Sequence, residues 1–68
     1  MEGLSVGRIV HYVDEVSVHC AAVVIDLDSE TEVDIFVMVP TGALYHEYGV
    51  PFDATGERNH SWHWPERV

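Results

Sequence analysis

The chain has 68 residues, of which 12 are acidic and 3 basic, giving a formal net charge of −9. All three bases are arginines, and this balance excludes a basic nucleic-acid reader and a polybasic membrane binder. Hydrophobic residues make up 47% of the chain, a share too high for a disordered segment. No apolar run approaches the ~18 residues of a membrane-spanning helix. We expect one small folded domain over residues 1–68.

The cysteine content and the N-terminal sequence bear on where the protein works. The single cysteine, Cys20, excludes a disulfide within the chain and fits a reducing compartment. Met1 to Val6 contain no basic region followed by an apolar run, so no secretory signal peptide is predicted. We expect a protein that is not secreted.

Three segments in the first half of the chain have the composition of β-strands. Val6–Val13 is rich in β-branched and aromatic residues, which suit a pleated surface. Val18–Leu27 is almost continuously apolar and predicts a central strand covered on both faces. A helix is the alternative there, although its β-branched centre disfavours one. In Glu32–Val39 every second residue is β-branched and apolar, with Glu32 and Asp34 on the other face, and the segment should pair with the second one as a hairpin.

The second half of the chain has clearer turns than strands. Ala43–Phe52 predicts a short irregular strand or an ordered loop, followed by a brief strand at Val50–Phe52. Asp53–Gly56 is typical of a type I turn with its glycine in the left-handed region. His60–Trp64 alternates again and predicts a last strand, which Pro65 ends.

Four or five short strands with tight turns and no convincing helix predict an all-β domain. A flat sheet of this size could not bury its apolar face, so we expect a small, strongly bent sheet closed on itself. The shortness of the strands favours an SH3-like barrel of antiparallel strands, with an OB-like barrel as the alternative.

Histidine and cysteine are the candidate residues for chemistry. If the first and last strands pair, His11 and His63 become cross-strand neighbours, but no histidine set has the tight spacing of a structural zinc site. Cys20 and His19 should point to opposite faces of a strand, so Cys20 is expected to be a small buried hydrophobe. We therefore predict no catalytic residue, no metal ligand and no cofactor. The histidines are His11, His19, His46, His60 and His63.

Two surface features are candidate protein-interaction sites. Phe36 and Met38 continue the outer face of the third strand and suggest a contact surface, unless Leu44–Tyr48 covers them. Five alternating acids should line the end of the hairpin, either as a solvated rim or as a docking surface for a basic partner. These acids are Asp26, Asp28, Glu30, Glu32 and Asp34.

The two tryptophans near the C-terminus allow two interpretations. Trp62 and Trp64 are two residues apart, so both indoles should lie on one side of a strand. They either plug a core too small to close with aliphatic side chains or form a half-exposed binding platform. The plug is favoured in so short a chain.

Three strings carry a resemblance to a known group of proteins. Gly7–Val13, GRIVHYV, stands near the start, the Ala-Ala-Val-Val strand Ala21–Val24 in the middle, and Trp62–Glu66, WHWPE, at the end. Together they resemble small uncharacterised proteins encoded by tailed bacteriophages and prophages. The resemblance implies a phage origin and a small β-barrel. It brings no activity and no catalytic residues.

These features lead to three classes of function. We expect a non-enzymatic virion decoration or assembly component that binds a phage structural protein and occurs in the host cytoplasm or the virion. The alternative is an acidic inhibitor of a host nucleic-acid enzyme, of the anti-restriction or anti-CRISPR type, that mimics nucleic-acid charge. An enzyme built on the histidines is least favoured, because 68 residues leave little room for a water-excluding pocket of ~300 Å³. Self-association is possible, whereas direct binding to nucleic acid or membrane is not expected.

Overall fold

The computed structural model describes residues 1–65, and Glu66 of the WHWPE string lies outside them. Five antiparallel strands form a single sheet in the order β4-β3-β2-β1-β5. The prediction of an all-β domain is confirmed, and the helical alternative for the second segment is wrong. No helix in the described residues is long and apolar enough to cross a membrane. The strands are β1 (Ile9–Val13), β2 (His19–Leu27), β3 (Val33–Met38), β4 (Leu44–Val50) and β5 (Ser61–His63).

The sheet curls until the chain that follows β4 reaches β5. Phe52 forms a parallel bridge with Trp62. The Trp62 amide donates to the Pro51 carbonyl at 2.9 Å, and the Asp53 amide donates to the Trp62 carbonyl at 2.9 Å. The result is a curled half-barrel of the small SH3-like or OB-like class, in which these contacts join the two ends of the sheet.

The core occupies the concave side of the half-barrel. Alternate residues of β1, β2 and β3 point inward and are fully buried, because side chains in a strand change face at every position. Trp62 of β5 fills the centre with no exposed surface. The core residues are Val10, Tyr12, Cys20, Ala22, Val24, Val33, Ile35, Val37, Val50 and Trp62.

The outer face of the sheet, on the side away from this core, is open to solvent along β2. Ala21 and Ile25 on β2 are exposed, and Val23 between them is half-buried. The prediction that β2 is covered on both faces is therefore wrong. β2 does lie at the centre of the sheet, but so short a chain supplies no second layer to cover its outer side.

The segment predicted to be irregular is a continuous strand of seven residues. Leu44–Val50 pairs with β3, and the pairing shifts register between Val33 and Ile35. Gly49 lies within this strand at φ +61°, a conformation that glycine adopts without steric cost. The glycine that suggested an interruption instead accommodates a local distortion while the strand continues.

The turn between β1 and β2 is hydrogen-bonded to the turn that precedes β5. The Asp14 carboxylate accepts bonds from the amides of Val16 and Val18 at 2.9 and 2.8 Å. Across the gap, the Ser17 hydroxyl donates to the Asn59 side chain at 2.9 Å, and Asn59 donates to the Glu15 carbonyl at 3.0 Å. The predicted turn at Asp53–Gly56 is present, with Gly56 at φ +70°.

Candidate functional site

An apolar row crosses four strands on the outer face. Ile9 lies opposite Val23, Val23 opposite Phe36, and Phe36 opposite His46. The ring centres of Phe36 and His46 are 5.1 Å apart. Residues opposite each other in neighbouring strands have adjacent side chains, so these four form one continuous surface, which we call the outer row.

A second set of side chains widens this surface. Met38 lies opposite Ala21 on one side and Leu44 on the other. Leu44 is 59% exposed and Tyr48 69% exposed. Because β4 pairs edge to edge with β3, the Leu44–Tyr48 segment extends the face that carries Phe36 and Met38 and leaves it uncovered.

Trp62 is a core residue and is unavailable as an interaction site. Its ring is fully buried, and its indole N–H donates to the Thr31 carbonyl at 2.8 Å. Trp64 is half-buried and packs edge-on against Trp62, with the two ring centres 5.2 Å apart. The Arg8 guanidinium carbon lies 5.2 Å from the centre of the Trp64 ring. The expectation of a tryptophan plug is confirmed for Trp62, and Trp64 extends that plug to the surface.

The acidic residues do gather at the β2–β3 hairpin. Asp26 lies opposite Asp34 in the pairing of the two strands. The Gly49 amide donates to both Asp28 and Asp34, at 3.2 and 2.9 Å. A hydrogen bond between the two carboxyl groups raises the pKa of Asp28, and the same bond, with the Gly49 amide, lowers the pKa of Asp34. Glu30 and Glu32 are exposed at the tip.

A cleft of about 300 Å³ opens at the other end of the half-barrel. The Tyr12 hydroxyl and His60 Nδ1 form a hydrogen bond of 2.9 Å in its wall. Burial, reinforced by the charge of Glu47, raises the pKa of Tyr12, so this hydroxyl stays protonated at neutral pH. The cleft is open to solvent, so the expectation that the chain leaves little room for a water-excluding pocket of this volume stays a prediction. The cleft is lined by Tyr12, Asp14, Glu15, Val16, Val39, Tyr45, Glu47 and His60.

Three histidines from three different strands converge on the outer face. His11 lies directly opposite His63, which confirms the predicted cross-strand pair. His19 joins them from β2, and its ring centre is 5.0 Å from that of His63 and 6.4 Å from that of His11. One possible ligand atom from each of the three lies within 4.8 Å of the others. We call these residues the histidine cluster.

Sequence reasoning missed the contribution of His19 to this cluster. The signal was its place in the hairpin: Val13 pairs with His19 and His11 with Ala21, so His19 is the diagonal neighbour of His11 on the same face. The register of a hairpin depends on its turn, which composition did not define here.

Cys20 lies on the opposite face from His19, as predicted. Its side chain is 1% exposed, and burial raises the pKa of its thiol. A buried, protonated thiol is a poor nucleophile, so the pair has the geometry of a core residue beside a surface residue.

Comparison with known proteins found no matching family model, no matching curated protein and no matching solved structure.

Proposed function

We propose that this protein is a non-enzymatic, phage-encoded accessory protein that binds a structural protein of the virion through the outer row. The observation that carries the proposal is the continuity of Ile9, Val23 and Phe36 across three paired strands. Scattered apolar residues are normal on a protein surface, whereas a contiguous patch indicates a binding site.

The exposure of the patch favours a protein partner. Ile9 is 50% exposed and Leu44 59% exposed, so their contact with another apolar surface would remove them from water. Phe36 and Met38 between them are half-buried and already held by their neighbours, so they would lose little side-chain freedom on binding.

The negative charge of the molecule indicates which charge the partner should carry around its apolar patch. The chain carries a net charge of −9, and the acidic hairpin continues the same β2 and β3 strands that cross the outer row. A partner with basic side chains beside an apolar patch would be attracted at long range and held in one orientation. The resemblance to phage proteins supports a virion protein as that partner.

The alternative function is inhibition of a host nucleic-acid enzyme. The acidic hairpin favours it, because Asp26, Glu30 and Glu32 are exposed together and could occupy phosphate-binding positions. The inhibitor would bind through the hairpin, and the virion component through the outer row.

Quantitative mass spectrometry of virions produced by the phage that encodes the chain tests the proposal. We expect a fixed copy number per particle for the wild-type protein. The double variant Ile9→Ser/Leu44→Ser should lower incorporation at least several-fold, because Ile9 belongs to the outer row and Leu44 to the side chains that widen it. Val16→Ser is the matched control, since Val16 is 72% exposed but lies in the β1–β2 turn, and it should be incorporated normally.

Absence of the chain from virions, with the protein abundant in infected cells, would overturn this proposal. A salt-sensitive complex with a nucleic-acid enzyme, lost when the five hairpin acids are changed to amides, would then support the inhibitor. Circular dichroism of each purified variant separates loss of binding from loss of folding.

A further inference from the structure

We propose that the histidine cluster, His11, His19 and His63, is a binding site for a zinc ion. The inference is independent of the proposed function. Imidazole nitrogen is a preferred ligand of zinc, and three histidines with an open fourth position are an established coordination set for this ion.

The distances are close to those that coordination requires. Two nitrogens bound to one tetrahedral zinc ion are about 3.4 Å apart when each Zn–N bond is ~2.1 Å. In the structure one candidate ligand atom from each histidine lies within 4.8 Å of the others. The rings therefore need to move by roughly an ångström, which rotation about side-chain bonds supplies without any change in the backbone.

The backbone already brings the three rings together from separate strands. β2 and β5 are the two neighbours of β1, so they are about 9.5 Å apart at the usual strand spacing. The ring centres of His19 and His63 are nevertheless only 5.0 Å apart. The His19 and His63 side chains therefore approach each other above β1, where His11 lies. The three imidazole rings converge on one region of the outer face.

One ring of the histidine cluster is held in place, while the other two can rotate. His63 is buried, and Gly56 packs so closely on its ring that a Cβ at this position would lie 3.1 Å from Cε1. The turn that carries Gly56 thus limits the movement of the His63 ring. His19 is exposed and His11 half-buried, so these two rings can turn toward an ion that His63 also binds.

The remaining charges favour a cation. A net charge of −9 raises the local concentration of cations around the molecule. An ion in the cluster would link β1, β2 and the three-residue β5, and such a link adds stability to a small domain with a limited core. The open fourth position would hold water or a side chain from a partner.

Titration of tag-free, chelator-treated protein with Zn²⁺, followed by calorimetry and by the melting temperature, tests the site. We expect one ion per chain and a melting temperature that rises with Zn²⁺ concentration, because the ion binds the folded state. Co²⁺ should give the visible absorption of a tetrahedral site, and Zn²⁺ should displace it. Excess Mg²⁺ or Ca²⁺, which prefer oxygen ligands, should not compete.

Two variants distinguish the cluster from other histidines and from the acidic hairpin. His19→Ala removes an exposed ligand and should weaken Zn²⁺ binding by about tenfold or more, the scale reached even by residues that only support a ligand. His46→Ala is the matched control, since His46 is also exposed on the outer face but lies outside the histidine cluster. This variant should bind Zn²⁺ with the affinity of the wild type.

A spectroscopic measurement on the wild type avoids any problem of variant folding. On addition of Zn²⁺, the ring-nitrogen NMR signals of His11, His19 and His63 should shift, while those of His46 and His60 stay in place. Failure of wild-type protein to bind Zn²⁺, equal affinity in His19→Ala, or shifts confined to the other two histidines would each overturn the proposal.

Discussion

Trp62 contacts three separate parts of the fold. Its ring is fully buried and packs against Phe52 at 4.8 Å, and its N–H reaches Thr31 in the β2–β3 hairpin. Its backbone also joins the chain after β4 to β5. One side chain therefore connects the closing strand, the hairpin and the segment that completes the half-barrel.

Replacement of Trp62 should consequently remove a large part of the stability. We expect Trp62→Ala to cost roughly 3–5 kcal/mol, the range for truncating a buried aromatic residue. That is comparable with the whole stability available to a core of this size. Urea unfolding followed by circular dichroism measures the effect. Trp64→Ala, which truncates a half-buried ring, should cost clearly less, and equal costs for the two variants would contradict this account.

At the scale of elements, the turn from Asp53 to His60 organises the surface that β5 presents. The Asp53 carboxylate accepts bonds from the amides of Arg58 and Thr55 at 2.9 and 3.1 Å, and from the Thr55 hydroxyl at 2.9 Å. These bonds fold the turn back so that Gly56 rests on His63. They stabilise the ionised carboxylate and lower the pKa of Asp53.

This lowered pKa predicts a pH-dependent contribution to stability. The ionised form of Asp53 is favoured by the folded state, so the stabilisation is fully present above the ordinary carboxyl pKa of about 3.9. It is lost as the pH falls through the lower pKa of the folded state. Asp53→Asn should therefore melt at a lower temperature than the wild type at pH 7. The difference between the two melting temperatures should narrow below about pH 4. A difference that widens in acid would contradict the assignment.

At the scale of the whole molecule, charge repulsion opposes compactness. The described residues span 29 × 22 × 21 Å, while the screening length is ~30 Å in 0.01 M salt and ~10 Å in 0.1 M salt. At low salt every acidic group thus interacts with every other across the molecule. Asp26 and Asp34, which pair across β2 and β3, are one example.

Screening should therefore stabilise the protein. We expect the melting temperature to rise between 10 and 200 mM NaCl, because repulsion is stronger in the folded state than in the expanded unfolded chain. Differential scanning calorimetry measures the rise. A variant with the five hairpin acids changed to amides should show a flatter dependence, and a melting temperature that falls with salt would contradict the argument.

The positions of most strands and the inward face of β3 followed from local patterns that need no knowledge of the fold. Alternation placed Val33, Ile35 and Val37 on one face, and all three are fully buried. The turn at Asp53–Gly56 was predictable because only a few residue types adopt its backbone angles. The continuity of β4 was not, because Gly49 suggests a break unless the register shift beside it is known.

The sequence by itself determined an all-β chain, a buried tryptophan, a strongly acidic hairpin and the pairing of His11 with His63 once the first and last strands meet. Only the tertiary structure decided that the outer face of β2 and β3 stays uncovered and that His19 joins the other two histidines. The physical reason is that alternation assigns side chains to faces within one strand, whereas register and curvature decide which side chains of different strands touch. Those two properties arise from turns and from closure of the whole sheet.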